Sequence, residues 1–108
     1  MSRSAEYDAA YFTLLRAQEE RDGLARYAEY LEAELERLDT FSRTLQSAAE
    51  PVPAKVRRPV DTTTKALLEA IGRRRSVILE ERRRMDDRAS AAAQFVEECE
   101  AELAALRA

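Results

Sequence analysis

Cys99 is the one thiol in this 108-residue sequence, and no histidine accompanies it. Without histidine the usual general base, the commonest metal ligand and the physiological pH switch are all missing. A thiol acts as a nucleophile when a basic or cationic neighbour stabilises its thiolate. Cys99 lies at an inward d position, where a small core residue is expected in place of a nucleophile. The acidic pairs Asp86-Asp87 and Glu97-Glu98 are adjacent in sequence. On a helix such neighbours diverge by about 100°, so neither pair forms a clamp for a metal or a proton. Gly23 and Gly72 stand alone and form no phosphate-binding loop. The residue types point to a non-enzymatic protein, with no catalytic residue, no metal and no cofactor expected.

The remaining chemistry is charge and aromaticity. Residues 1–54 carry six basic and eleven acidic side chains, residues 55–88 eleven basic and six acidic, and residues 89–108 one arginine against four glutamates. The basic block holds Arg57, Arg58, Arg73, Arg74, Arg83 and Arg84 as its candidate patch. Phosphates or an acidic protein surface would suit it. Equally, its arginines could pair with the acidic first half of the same chain, or with a second copy. The net charge of −3 gives no bulk attraction to nucleic acid. Tyr7, Tyr11, Phe12, Tyr27 and Tyr30 crowd the first thirty residues, and tyrosine is favoured at protein interfaces.

The elements that must position these groups follow from proline and from hydrophobic spacing. Pro51, Pro53 and Pro59 are the three prolines, all within one short central stretch. Each removes a backbone donor and disfavours helix in the preceding residue. The expected connection is therefore about 49–60, with helix 1 over about 4–48 and helix 2 over about 61–107, forming a single domain over 1–108. Ser4 is the expected N-cap of the first helix, and Asp61 or Thr62 that of the second.

Both arms keep an unbroken heptad pattern. In the first, a positions are Tyr7, Leu14, Arg21, Ala28, Leu35 and Ser42, and d positions are Ala10, Ala17, Leu24, Leu31, Leu38 and Leu45. In the second, a positions are Leu68, Arg75, Arg82, Ala89, Val96 and Leu103. Its d positions are Thr64, Ile71, Ile78, Met85, Ala92, Cys99 and Leu106. Two arms of roughly 65 Å each, joined by a short stiff connection, bury both seams by folding back antiparallel. The expected fold is all-α, an antiparallel coiled-coil hairpin. A turn centred near residues 54–55 would set Arg75 opposite Glu34 and Arg82 opposite Tyr27, both at g positions.

Large apolar side chains also lie outside the seam: Tyr11, Tyr27, Phe41, Leu67, Leu79 and Phe95 at e or g, with Phe12, Leu15 and Tyr30 further round. A two-helix seam has no need of them, so pairing of two hairpins into a four-helix bundle is expected, with Tyr27, Tyr30, Phe41, Leu67 and Leu79 at the interface. The functional expectation is a homo-oligomeric adaptor or regulator that binds another protein through its helical faces. The alternative is a transcription-associated regulator that engages nucleic acid, RNA polymerase or a sigma factor through residues 55–88. No run of apolar residues is long enough for a membrane span. The charged opening residues give no expectation of a leader peptide, so a cytoplasmic location is expected. Sixteen arginines against two lysines, with abundant alanine, is the composition of a GC-rich bacterial genome. Motifs of familiar helical hairpins are absent: there is no tryptophan for a Trp-x-Gly turn, and the hairpin tip is basic where transcript-cleavage-type factors carry an acidic one.

Overall fold

A computed structural model describes residues 3–108 as two helices, α1 (Arg3–Ala49) and α2 (Ala54–Arg107), with no strand among the described residues. No helix is long and apolar enough to cross a membrane. The two helices form a helical hairpin, whose contacts divide into two compact units. The turn unit is Tyr30–Arg82, and the terminal unit joins the chain up to Glu29 to Arg83–Ala108.

The turn is shorter than the prolines imply. Helix α2 begins at Ala54, so the connection is only residues 50–53, and Pro59 lies inside the helix. Pro53 ends the turn, and its carbonyl accepts the Val56 N–H at 3.1 Å. The Val52 N–H closes the other side on the Ala49 carbonyl at 3.3 Å. Arg57 staples the turn, donating through Nη1 to the Glu50 carbonyl and through Nε to Asp61. Asp61 and Thr62, expected as caps, are therefore interior helical residues. Thr62 Oγ1 donates back to the Arg58 carbonyl, as a hydroxyl does within a helix. Pro59 denies one donor to the carbonyl four residues earlier, on the exposed Lys55. Helix α1 likewise begins before its expected cap, leaving Ser4 inside it. Met1 and Ser2, at the start of the expected domain, lie outside the described residues.

The seam follows the heptads. In the terminal unit Ala10, Leu14, Ala17, Val96, Cys99 and Leu103 make one buried cluster, with Tyr7 and Leu106 packed against it. Arg107 lies over the Tyr7 ring and donates to its hydroxyl at 2.9 Å. Arg3 donates to the carbonyls of Leu106 and Ala108, filling acceptors that the end of α2 leaves open. In the turn unit Leu31, Leu35, Ala49, Ile71 and Ile78 are buried.

The charged a positions pair differently from the facing rule. Arg75 donates to Asp39 at 3.2 Å and Arg82 to Glu32 at 2.6 Å, not to Glu34 and Tyr27. Glu34 is instead held by Arg37 one turn along α1, at 2.7 Å. The cause is side-chain direction. Helical side chains lean toward their own N-terminus, and in α2 that end is the turn. Each arginine therefore meets α1 about five residues nearer the turn than its facing position, at an e position in place of a g position. Both pairs are about half exposed, so each contributes little. A double-mutant cycle on Arg75 and Asp39 is expected to give on the order of 0.5 kcal/mol. The same cycle on Arg75 and Glu34 is expected to give none; the reverse order would refute this pairing.

Candidate interaction surfaces

The long edges of a helical hairpin are lined by the e positions of both helices on one side and the g positions on the other. In the turn unit these edges differ in kind. The e edge carries both cross-helix ion pairs, Arg75–Asp39 and Arg82–Glu32, and Leu79 lies on it half-buried. The g edge carries Phe41 at 45% and Leu67 at 38% exposure. Of the five side chains expected at an interface, Phe41 and Leu67 thus share one open edge of the turn unit. Leu79 is placed on the opposite edge, more covered than the rest. Tyr30 points outward from α1 with the Arg37 guanidinium 5.7 Å from its ring centroid, and it is half exposed.

Tyr27 belongs to the terminal unit, at a g position, and is exposed. The same edge there holds a shallow cleft lined by Thr13, Arg16, Ala17, Glu20, Ala92 and Phe95. Ala17 and Ala92 are small residues at d positions that the facing rule sets opposite each other, and both line the cleft. Phe95 stands half exposed beside it. Heptad spacing does not by itself point to this cleft; its signal in the sequence is two alanines at matched d positions next to a g-position phenylalanine. On the e side Tyr11 meets Phe12 edge-to-face at 6.0 Å, both exposed.

The basic patch is dispersed. Arg57 is committed to Asp61 and Glu50, and Arg75 and Arg82 to the acidic residues of α1. Arg58 joins Arg57, Lys65, Asp61, Thr62, Val52 and Ala54 around a groove at the turn. Arg73 and Arg74 are exposed further along α2. Arg83 and Arg84 are exposed in the terminal unit, so the six residues do not form one surface within either unit.

Cys99 is 4% exposed. Burial raises its thiol above the ordinary range, and Glu102 and Glu98 add to the shift. The folded state therefore favours the neutral thiol. Its contribution to stability is complete below the thiol's ordinary pKa and is lost as pH rises through and beyond it. A thiol reagent at neutral pH is expected to modify Cys99 far more slowly in the native protein than in urea. Equal rates would show that the terminal seam opens readily.

The chain matches no protein-family model, no curated protein sequence and no solved structure.

Proposed function

We propose that this protein is a non-enzymatic coiled-coil interaction module, an adaptor or regulator that works as a homo-oligomer and presents its helical faces to another protein. The observation that carries this reading is the position of its large apolar side chains. The seam is filled by a and d residues, yet Phe41, Leu67, Tyr27 and Phe95 stand exposed along the g positions. Phe41 and Leu67 are exposed at facing g positions of the turn unit, and aromatic residues dominate binding energy where they become buried.

Light scattering at micromolar concentration tests the self-association. A mass of about twice the 12.3 kDa chain or more is expected; a mass of one chain would reject it. Phe41→Glu is expected to lower the mass while leaving helicity unchanged, because its side chain lies outside the seam. Leu79→Glu is expected to cost fold stability as well, since Leu79 is half-buried beside the cross-helix ion pairs.

A second reading is favoured by the groove at the turn, where Arg57, Arg58 and Lys65 surround one acidic residue, Asp61. There the chain would engage nucleic acid or a nucleic-acid-bound protein of the transcription machinery. Salt separates the readings. Binding through phosphates weakens steeply as salt rises, while association through apolar burial does not.

A further inference from the structure

We infer that the outer face of α1 at Tyr11, Phe12 and Leu15 is the docking site for a helix of another protein, one whose apolar stripe is flanked by lysines and arginines. This inference rests on the protein-binding role proposed above and names its face and the chemistry of its partner.

The face lies wholly within the terminal unit. Between Ala10 and Ala17, helix α1 gives two alanines and Leu14 to the buried seam. It turns its bulkier apolar side chains outward instead, with Tyr11 at 41%, Phe12 at 63% and Leu15 at 37% exposure. A helix that meets water on its outer side does the opposite, keeping its large apolar residues on the core stripe. Tyr11 and Phe12 precede Leu15 by four and three residues, so the three side chains are neighbours on one turn. The two rings already meet edge-to-face at 6.0 Å.

The partner's chemistry follows from the charges around this patch. Asp8 lies one turn before the rings, Glu19 one turn after Leu15, and Glu100 shares the e edge from α2; all three are exposed. None of the three is in an ion pair among the described residues. The nearby arginines are committed elsewhere. Arg3 donates to the carbonyls of Leu106 and Ala108, Arg107 to the Tyr7 hydroxyl and Arg21 to Asp22. Arg16 lines the Phe95 cleft on the opposite edge. The open charge at the patch is therefore negative. Such a rim repels nucleic acid and anionic lipid headgroups and attracts a cationic peptide. It also disfavours a second copy, because a two-fold contact through the patch sets carboxylates against carboxylates. A cationic amphipathic helix suits both parts: its apolar stripe covers the rings, and its lysines or arginines reach Asp8, Glu19 and Glu100.

Fluorescence anisotropy at low salt tests the site with a labelled synthetic helix of leucine and lysine, its leucines on one face. Two control peptides have the same composition in an order that makes no apolar face, and the same helix with glutamate in place of lysine. The amphipathic lysine helix is expected to bind about tenfold more tightly than the reordered peptide, and the glutamate helix not at all. Phe12→Ser and Leu15→Ser are each expected to weaken binding about tenfold with helicity unchanged. Glu19→Gln combined with Glu100→Gln is expected to weaken it severalfold and to flatten its salt dependence. Phe41→Glu, in the turn unit, is expected to leave it. Equal binding of the ordered and reordered peptides, preference for the glutamate helix, or indifference to Phe12→Ser would overturn the inference. Light scattering reads self-association separately, and Phe12→Ser is expected to leave the mass unchanged. A fall to one chain in that variant would make the patch a contact between copies, overturning the inference while self-association stands. A one-chain mass for the unaltered protein, with peptide binding intact, would reject self-association alone.

Discussion

Met85→Asp is expected to unfold the terminal half of the hairpin, a far larger loss than a substitution on either open edge would bring. Met85 is 1% exposed, and with Val96 it is one of the two largest fully buried side chains. Truncating a buried methionine costs about 2–5 kcal/mol through lost transfer energy and the cavity left behind. A carboxylate at the same point adds the cost of a buried charge, and Arg82, the a residue one turn before it, is already paired with Glu32 at 2.6 Å. The sum, about 4 kcal/mol or more, is a large fraction of the roughly 5–15 kcal/mol that holds a small domain together. Circular dichroism during urea titration should show the helical signal already reduced without denaturant, or a midpoint displaced far downward. Phe12→Asp makes the comparison: at 63% exposure it should change stability by no more than about 0.5 kcal/mol. Equal effects at the two positions would mean that the seam does not run through Met85.

Pro59→Ala is expected to do the reverse and stabilise the protein. Pro59 sits inside α2 with helix on both sides. An interior proline costs about 3 kcal/mol relative to alanine, by removing a hydrogen bond and crowding the carbonyl one turn back. Part of that is already relieved near the helix start, and alanine gives the unfolded chain more freedom, worth about 0.4–1 kcal/mol. A net gain of about 1–2 kcal/mol remains, equivalent to a rise in melting temperature of about 4–15 °C for a chain of this size. Pro53→Ala should bring no such gain, because Pro53 lies in the turn and no helical bond is missing there. A fall in melting temperature for Pro59→Ala would mean that the ring's restriction of the unfolded chain outweighs the hydrogen bond it removes.

The register of the candidate surface is only partly legible in the sequence. Phe41 and Leu67 stand out as apolar residues beside the seam, and the structure places both on an open edge. Leu79 has the same appearance in sequence, since e and g positions look alike until the charged residues choose a side. The arginines make that choice. Arg75 and Arg82 lean toward the turn and reach Asp39 and Glu32 on the e edge, while Phe41 and Leu67 stay exposed at g positions. The Phe95 cleft depends on two alanines meeting across the seam, which heptad spacing does not reveal.

Sequence alone determined the helical class, the antiparallel return of the chain and the composition of the seam. Eleven of the twelve buried apolar residues among those described occupy the a and d positions read from the heptads, and the twelfth, Ala49, continues the a series one heptad past Ser42. That succeeded because burial of a helix stripe depends on spacing within the chain, and spacing is written in the sequence. Tertiary structure decided where α2 begins, which residues the arginines meet and which edge stays open. Pro59 marks an end only if no helix forms around it, and one missing hydrogen bond at an exposed site is a cost that the remaining turns of α2 can offset. The ion pairs depend on how far a long side chain leans along its helix, a three-dimensional quantity that residue spacing does not contain.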